Sequence, residues 1–403
     1  MNILFLSSWL PYPLRTGSSV TNYNVIKELS RRHDISLLSF IDSEDELKYV
    51  PTMAELCTSV ACVLRERKSM APLKKVVSLL SKTPRSVVME RSPEMYEAVS
   101  REIERREIDC AVADTTATIE YVLGASRFPR IVFHHNVDSV IAKRGYLLQS
   151  GAPKRFRWWL TWRKAAAYET RVNRLVEGHI MVSEVDKDEL LTLIPDIGQI
   201  EVIGNGVDIE SFRVSDAERQ RNSIIFTGLP KYGANLDGLR YFHREVLPIV
   251  KKGWQDVVLN VTGDFSGQSV DDLQKGDGVI LTGYLDDVKP AIASSWISVV
   301  PIRLGSGTRF KILEAMALGT PVVSTTVGAE GLEVTHEKNI LIADEPSDFA
   351  KQVLRLREDL DLWETLSKNG RRLVEDKYDS RLLARRFESF LCRARDEFSQ
   401  AAE

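Results

Sequence analysis

Short apolar runs alternate with helical patterns along the first half of the chain. The first run covers residues 3–6, a loop rich in proline and glycine follows, and a helical pattern over 20–29 leads to a second run at 35–40. Strand, loop, helix and strand in this order open a doubly wound α/β fold. Because these runs are apolar throughout, they predict parallel strands that are covered on both faces. Similar runs lie at 110–113, 130–133 and 179–182.

The pattern restarts after a polar stretch at 213–223, which indicates a second unit. We therefore predict two α/β domains, 1–212 and 213–376, and a helical segment at 377–403. Two sheets in tandem suggest a ligand in a cleft between them, near the carboxyl ends of strands. The later apolar runs lie at 224–228, 257–261, 279–281, 297–300 and 321–323.

The composition agrees with this architecture. The 403 residues are more than twice the ~150 expected of one domain. Hydrophobic residues at 43% and charged residues at 28% exclude disorder and a collagen-like repeat. A net charge of −3 argues against a nucleic-acid partner. Without a transmembrane run, a secretory signal or metal-type cysteine spacing, we expect a cytoplasmic protein with reduced thiols.

Residues 300–323 predict an anion-binding site. A strand ends, a loop of small residues follows, and a helix begins near Thr308. Exposed backbone N–H groups in the loop and the positive end of the helix would both favour a bound anion. The loop residues are Gly305, Ser306, Gly307 and Thr308.

Three charged side chains stand beside this loop. Arg309 and Lys311 would add fixed positive charge to the amides that hold a diphosphate. Glu314 lies one to two turns into the helix, where its carboxylate could accept two hydrogen bonds from a vicinal diol such as ribose. From the residues alone, an amphipathic helix whose charges face water is an open alternative.

The whole segment resembles the nucleotide-sugar site of glycosyltransferase family 4, the large retaining group 1 of GT-B enzymes. Glu314 matches the glutamate with which that family binds the nucleotide ribose, and the family's Ala-Met-Ala-x-Gly-Thr-Pro-Val-Val run follows it. The resemblance covers nearly the whole chain. Further matching segments are the glycine loop with Gly17 and Ser18, His135 to Ser139, Ser183 to Asp186, Gly204 to Asp208, and the strand ends at Gly228, Gly263 and Gly283.

The resemblance implies a GT-B fold, in which two Rossmann-like domains face each other across a cleft. The first domain would bind the acceptor, the second would bind the nucleotide sugar, and the last helix would cross back to the first. The implied activity is retaining transfer of a hexose-type sugar from a nucleotide-diphosphate sugar to a cell-envelope polysaccharide or glycolipid precursor. It would need no metal, and no cofactor beyond the nucleotide sugar as co-substrate.

The resemblance also assigns roles to individual residues. His135 would lie near the transferred sugar, and we place Arg309 and Lys311 on the leaving diphosphate, where they stabilise departing charge. Gly17 and Ser18 would approach the phosphate or acceptor through their amides at a helix start. The donor and nucleotide site would comprise Glu314, Gly305, Ser306, Gly307, Thr308, Gly228 and Gly263.

Some positions depart from the family pattern. Ser306 stands where many members carry a glutamate, so a catalytically inactive partner subunit that binds sugar nucleotide stays an alternative, as does a GT-B nucleotide-sugar epimerase. Leu229 and Ala234 stand where many members carry an arginine and a lysine that hold the diphosphate. We therefore predict that these cations have moved to Arg309 and Lys311.

Residues 143–174 combine basic and aromatic side chains. Glu169 is their only acidic residue, and Trp158 and Trp162 lie four apart, on one face of a predicted helix. Such a helix suits peripheral contact with an anionic membrane. Tryptophans that pack on the first domain while arginines face water are the alternative of equal weight. The basic residues are Lys143, Arg144, Lys154, Arg155, Arg157, Arg163, Lys164, Arg171 and Arg174.

Overall fold

The computed structural model describes residues 1–14, 16–65, 81, 83–213, 218–229, 233–265, 270, 273, 278–304 and 309–402. Within these ranges the chain divides into two units. The first comprises Met1–Gly204 together with the chain from Leu383 onward, and the second is Asn205–Leu382.

The first unit ends at Gly204, ahead of the boundary expected at residue 212. The Val207 N–H donates to the Tyr378 carbonyl at 2.8 Å, and the Val207 carbonyl accepts from the Ser380 N–H at 3.0 Å. Phe212 packs on an apolar cluster of the second unit. The segment after Gly204 therefore belongs to the second unit, because its hydrogen bonds and apolar contacts are made there.

A seven-stranded parallel sheet forms the centre of the first unit. Its strands follow the order β3-β2-β1-β4-β5-β6-β7, so the order reverses between β1 and β4. The strands are β1 (Asn2–Ser7), β2 (Asp34–Ile41), β3 (Ser59–Leu64), β4 (Cys110–Ala113), β5 (Arg130–His134), β6 (Gly178–Met181) and β7 (Gln199–Val202).

Helices cover both faces of this sheet. Alternate residues of β1 point to opposite faces: Ile3 and Phe5 join one apolar cluster, and Leu4 and Leu6 join another. The helices are α1 (Gly17–Leu29), α2 (Val50–Ala54), α3 (Arg85–Glu90), α4 (Pro93–Arg105), α5 (Asp138–Leu147), α6 (Ala152–Asn173) and α7 (Glu184–Leu193), with 3₁₀ turns at Glu44–Tyr49 and Thr118–Val122.

The second unit repeats the plan with a six-stranded parallel sheet. Its order is β10-β9-β8-β11-β12-β13, which reverses between β8 and β11. The strands are β8 (Gln220–Thr227), β9 (Val258–Thr262), β10 (Val279–Gly283), β11 (Ser295–Val300), β12 (Val322–Ser324) and β13 (Leu341–Ile342).

Helices again lie on both faces of this second sheet. Trp296 and Trp363 stack at 4.4 Å between ring centroids, within an apolar cluster that includes Phe226 and Phe242. The helices are α8 (Gly233–Tyr241), α9 (Leu247–Gly253), α10 (Lys289–Ser294), α11 (Phe310–Ala317), α12 (Pro346–Glu358) and α13 (Leu360–Leu373), with π-helical turns at Phe242–Val246 and Val374–Tyr378.

The last helix, α14 (Ser380–Ala402), joins the first unit from Leu383 onward. Phe387, Phe390 and Leu391 are buried in the cluster that also holds Ile3 and Phe5. The Phe387 ring meets Phe133 of β5 edge to face, with 5.1 Å between centroids. Burial of this apolar stripe attaches the helix to the first sheet.

Every apolar run named from the sequence lies in a strand, and three strands were not anticipated. These are β3, β7 and β13, and each lies at an edge of its sheet. The residues of β3 and β7 are partly exposed rather than buried, and β13 has two residues. β7 and β13 have no long apolar run, so the pattern gave no signal for them. β3 contains the apolar run Val60–Leu64 and was overlooked. Within the described ranges, no helix has the length and apolarity that crossing a membrane requires.

Candidate active site

Each unit carries a polar cluster where its strand order reverses. Ligands of doubly wound sheets bind at this point, outside the carboxyl ends of the strands. In the first unit β1, β4 and β5 are neighbours, and their carboxyl ends bring Ser7, Asp114 and His135 to one edge of the sheet. In the second unit Gly228 follows β8, and the segment before α11 follows the neighbouring strand β11.

Asp114 is the centre of the first cluster and is buried. It accepts hydrogen bonds from the Ser7 hydroxyl at 2.7 Å, the Ser8 N–H at 2.9 Å, the Asn22 amide at 3.0 Å and the Thr118 hydroxyl at 3.3 Å. Burial raises the pKa of Asp114, and these donors oppose the shift. The carboxylate thereby ties β1, α1 and the turn after β4 together.

Asn22 connects this carboxylate to His135. Because its Nδ2 donates to Asp114, its Oδ1 faces His135 Nε2, at 2.9 Å. Only a protonated Nε2 can donate to that oxygen, so the network assigns the His135 tautomer. Burial lowers the pKa of His135 to about 4. The ring is therefore neutral at physiological pH, and Nδ1 is its acceptor atom.

His134 and His135 point in different directions, as alternation along a strand predicts. His134 is buried, and its Nε2 lies 3.3 Å from Nδ1 of His179, which is also buried. Burial lowers the pKa of both rings, that of His179 to about 4. His134 is therefore a neutral interior side chain, and His135 is the one that reaches the sheet edge.

Glu169 accepts hydrogen bonds from the first turn of α5, the helix that follows β5. Its buried carboxylate accepts from the N–H groups of Asp138 at 2.7 Å and Ser139 at 3.1 Å, which are the first two residues of α5. Burial raises the pKa of Glu169 to about 7. The Asp138 residue itself is exposed. Glu169 thus caps α5 and orients the segment that follows His135.

A second polar group lies beside Asp114 on the same edge. The Arg65 guanidinium stacks on Trp9 at 4.0 Å from the ring centroid, donates to the Ser8 carbonyl, and lies 3.9 Å from a Glu90 oxygen. The other Glu90 oxygen, Oε2, is buried and has no hydrogen-bond partner in the described part of the chain. Burial raises the pKa of Glu90 to about 7, although Arg65 opposes the shift.

The glycine loop of the first unit ends where α1 begins, at Gly17. Thr16 is the N-cap, accepting from the Ser19 N–H at 3.2 Å while the Ser19 hydroxyl accepts from the Thr16 N–H at 2.9 Å. This capping box leaves the amides of Gly17 and Ser18 in the first helical turn, as the sequence predicted.

In the second unit Lys311 reaches across to the end of β8. Its Nζ donates to Asn235 Oδ1 at 3.0 Å and lies 4.6 Å from the centre of the Phe226 ring. Gly228, with φ of 151°, makes room for it, since a Cβ there would stand 2.7 Å from Nζ. The ammonium group of Lys311 therefore lies at the end of β8. This is close to Leu229 and Ala234, the positions where many family members carry the diphosphate-binding cations.

Asn235 holds this arrangement in place from the first turn of α8. Its Nδ2 donates to the Leu229 carbonyl at 3.0 Å, so its Oδ1 is turned toward Lys311. Burial lowers the pKa of Lys311 to about 7, and Arg309 adds to the shift. An anion near Nζ would stabilise the protonated form and raise this pKa again.

Glu314 lies one turn after Lys311 on α11. It is partly buried, and burial raises its pKa to about 7, against the opposing charges of Lys311 and Lys289. Arg309 is the N-cap of α11 and directs Nη2 toward the Leu304 carbonyl at 3.5 Å. The helix starts at Phe310, slightly later than expected.

The remaining donor-site predictions divide into two groups. Gly263 follows β9 with φ of 149°, and its N–H donates to the Gly283 carbonyl at 2.9 Å, so it shapes the neighbouring strand end. The predicted loop residues Gly305, Ser306, Gly307 and Thr308 lie outside the described residues.

Sequence reasoning missed four polar residues of these clusters. Asp114 and Arg65 each follow a strand directly, so the rule that sites form at carboxyl ends of parallel strands could have found them. Asn22 and Asn235 sit inside helices with no local signal. Their roles depend on partners more than 70 positions away in sequence, His135 and Lys311.

Two doubly wound units, each with a polar cluster at its switch point, define the GT-B class, and solved structures agree. Sucrose-phosphate synthase from Thermosynechococcus elongatus matches with a TM-score of 0.70 at 16% identity, covering 98% of this chain and 99% of that one. Anabaena HepE in complex with UDP-glucose matches with a TM-score of 0.67 at 17% identity, covering 98% and 100%. The fold is therefore GT-B.

The family follows from sequence. Residues 15–211 match the family described as Glycosyltransferase Family 4, and residues 221–359 match Glycosyl transferases group 1. The chain belongs to the group 1 glycosyltransferases of family 4.

Curated relatives match shorter parts of the chain. An uncharacterized 44.6 kDa protein in the cps region of Klebsiella pneumoniae is 25% identical over 178 residues, which are 42% of this chain and 46% of that protein. The capsular polysaccharide biosynthesis glycosyltransferase CapM of Staphylococcus aureus is 26% identical over 231 residues, or 52% and 60%. The chain spans about half the length of the curated relatives it matches.

Proposed function

We propose that this protein is a retaining glycosyltransferase that moves a hexose-type sugar from a nucleotide-diphosphate sugar to a cell-envelope saccharide or a lipid-linked precursor. One observation carries the proposal. The Lys311 ammonium is held over Gly228 at the switch point of the second sheet, where an anionic ligand of a doubly wound fold binds.

On the donor side, Lys311 binds the diphosphate and Glu314 binds the ribose hydroxyls. The two side chains project from one helix face, three positions apart. Arg309 supports the same phosphates, together with the amides of residues 305–308. UDP is the first nucleotide to test, because the solved HepE structures hold UDP and UDP-glucose.

On the acceptor side, His135 binds a hydroxyl of the transferred sugar through Nδ1, since its Nε2 is engaged by Asn22. Gly17 and Ser18 present their amides to the phosphate or the acceptor. Trp9 and Glu90 lie at the same edge of the first sheet, and an exposed indole beside a carboxyl group is a surface suited to a saccharide acceptor.

In the proposed reaction the bond between the sugar C1 and the diphosphate oxygen breaks, and the acceptor oxygen bonds to C1 on the same face. The acceptor proton passes to the departing diphosphate. No protein nucleophile, metal or cofactor takes part in this scheme. The protein contributes positioning and stabilisation of the negative charge that develops on the leaving group.

Nucleotide binding tests the proposal first. A thermal-shift panel of UDP, GDP, ADP, TDP and their sugars should single out one diphosphate, because a ligand at a hundred times its Kd adds about 2.7 kcal/mol of stability. The shift should be lost in Lys311→Met and reduced in Glu314→Gln. Lys351→Met, an exposed lysine of the same unit, is the matched control. No shift with any nucleotide would refute the donor site.

Turnover measurements then separate the transferase proposal from two alternatives, an inactive partner and an epimerase. With the selected donor, a transferase releases nucleoside diphosphate and forms a product whose anomeric configuration, read by NMR, equals that of the donor sugar. If the protein binds the nucleotide but neither transfers the sugar nor slowly hydrolyses the donor, it is an inactive sugar-nucleotide-binding partner, the alternative suggested by Ser306. Interconversion of two nucleotide sugars would identify an epimerase.

The proposed location is the cytoplasm, in peripheral contact with the inner face of the membrane. A lipid-linked acceptor is available only at such a surface. The similarity to CapM, a capsular polysaccharide biosynthesis glycosyltransferase, supports an envelope product.

A further inference from the structure

Helices α5 and α6 form a helical hairpin. Among the described residues of the first unit, its tip carries the most exposed large apolar side chains. The two helices are joined by residues 148–151. The hairpin does not include any residue of the donor site.

The inner face of the hairpin is closed by two tryptophans. The Trp158 ring lies flat against Gly145, where an added Cβ would stand 2.6 Å from the ring. Trp162 stacks on Tyr146 with 5.9 Å between ring centroids. These are the two tryptophans that the sequence placed on one helix face, and they hold α5 against α6.

A different set of side chains faces outward at the tip. Leu147 is 64% exposed, Leu148 is 74% exposed and Phe156 is 62% exposed. Trp159 stacks on Phe156 at 5.7 Å and remains 39% exposed. Large apolar groups this accessible, gathered at one point, mark an interaction surface.

Positive charge surrounds this apolar tip. Residues 139–168 contain no aspartate or glutamate. Some of the basic groups are held by aromatic rings of the hairpin: the Arg155 guanidinium lies 4.9 Å from the Tyr146 ring, and Lys143 Nζ lies 5.8 Å from the Trp162 ring. Lys143, Lys154, Arg155 and Arg157 are all exposed.

We propose that the tip of the α5–α6 hairpin inserts into the interface of an anionic lipid membrane. Leu147, Leu148 and Phe156 enter the acyl boundary, Trp159 lies at the level of the headgroups, and the basic residues contact lipid phosphates. The inference deepens the peripheral membrane contact of the proposed function, on which it rests, by naming the element that makes it.

A second copy of the chain is the other occupant to consider. Packing two tips together would bring two basic clusters into contact, and like charges repel, because residues 139–168 of each chain contain no acidic residue. An anionic bilayer meets both the apolar and the charged part of the surface. Charge complementarity therefore selects the membrane.

Vesicle co-sedimentation at low ionic strength tests the proposal. The full chain should bind phosphatidylcholine vesicles that contain about a quarter phosphatidylglycerol, and bind pure phosphatidylcholine at least about tenfold more weakly. The variant Leu147→Ser/Leu148→Ser/Phe156→Ser should lose about tenfold or more in binding, because it removes the inserted apolar area. Lys154→Gln/Arg157→Gln should lose about fivefold per residue.

Leu47→Ser/Leu175→Ser is the matched control, since both leucines are exposed elsewhere in the first unit. It should bind like the unaltered chain. Brominated lipid should quench tryptophan fluorescence in the unaltered protein, and less in Trp159→Phe.

Three results would overturn the proposal. The first is an unaltered chain that does not bind anionic vesicles. The second is equal binding by the tip variant and the control. The third is a tip variant that changes only the mass in solution, which would assign the surface to self-association. Nucleotide thermal shifts, measured without lipid, should be the same in all these variants, so failure of the membrane proposal is distinguishable from failure of the donor site.

Discussion

The two switch-point clusters have the same place in the fold and opposite electrostatic designs. In the first unit Asp114 is surrounded by donors, and His135 is held neutral in one tautomer through Asn22. In the second unit Lys311 is a partly desolvated cation held by one amide oxygen and one aromatic face. The same topology thus supports a buried carboxylate with several hydrogen-bond donors in one unit and a partly desolvated cation with a neutral hydrogen-bond partner in the other.

This difference between the two clusters implies that the first mainly stabilises the fold and the second mainly binds a ligand. A network whose donors and acceptors are paired stabilises the unit that contains it. A cation whose pKa is lowered to about 7 by burial destabilises its unit, and it recovers that free energy when an anion binds. Substitution of Asp114 should therefore act mainly on folding, and substitution of Lys311 mainly on ligand affinity.

The largest expected effect is that of Asp114→Ala on folding. Removing the carboxylate leaves the Ser8 N–H and the Asn22 amide without their acceptor in a buried site, which costs about 3 kcal/mol of unfolding free energy. Chemical denaturation measures it. Asp188→Ala, on the exposed face of α7, should change stability by less than about 0.5 kcal/mol. Equal effects of the two substitutions would contradict the role given to the network.

The next effect is that of Lys311→Met on nucleotide affinity. Loss of the charge should weaken diphosphate binding by about 30- to 100-fold, the worth of a hydrogen bond to a charged group. The free energy of unfolding without ligand should not fall, because methionine needs no desolvation. Calorimetric titration and denaturation of the same preparations give both numbers. A large loss of stability with unchanged nucleotide affinity would show that Lys311 stabilises the fold and does not bind the nucleotide.

Lowering the pH should reduce the free energy of unfolding of the first unit, because its buried histidines must take up protons. His179 has its pKa lowered to about 4, whereas an unfolded histidine titrates near about 6.5. The neutral form is favoured by folding, so this stability is present above about pH 6.5 and is lost as the pH falls toward 4. Between about pH 7.5 and about pH 5 the loss is about 2 kcal/mol. His179→Gln should show a correspondingly flatter profile, and an unchanged profile would remove His179 as the cause.

The smallest effect is the pH dependence of nucleotide affinity. Above about pH 7 the free Lys311 loses its proton, and bound diphosphate raises its pKa, so binding takes up a proton. Affinity should fall by up to about tenfold per pH unit as the pH rises. Lys311→Arg keeps the positive charge over this range and retains Glu314, so the fall in affinity that is due to Lys311 should be absent from its profile. Calorimetry in two buffers of different ionisation enthalpy counts the proton, and no uptake would show that Lys311 is already charged.

Much of the architecture could be predicted from the sequence. The central strands of both sheets contain short runs of buried, mostly apolar residues, and they were found for that reason. Local signals also located the start of α1 and the helix with Lys311 and Glu314. The edge strand β7 escaped, because its sequence Gln-Ile-Glu-Val has no continuous apolar run.

The roles of individual site residues were harder to predict from the sequence than the architecture was. A motif predicted that Arg309 and Lys311 both hold the diphosphate of a donor, and it gave the two residues the same role. In the structure the two side chains take different directions: Arg309, at the N-cap position of α11, reaches toward the Leu304 carbonyl, and Lys311 extends to Gly228 and Asn235. Side-chain direction depends on where the neighbouring strand ends, and a linear pattern does not contain that information.

The sequence by itself determined what is local: the order of strands and helices, the positions of caps and glycine turns, and the family. Tertiary structure alone decided what depends on pairing between distant segments. Asn22 became the link between Asp114 and His135 because β1, β4 and β5 end at one edge. Trp158 and Trp162 turned inward and Phe156 outward because α5 packs on one face of α6. Periodicity and propensity act over a few residues, whereas burial and hydrogen-bond partners are set by the arrangement of the whole sheet.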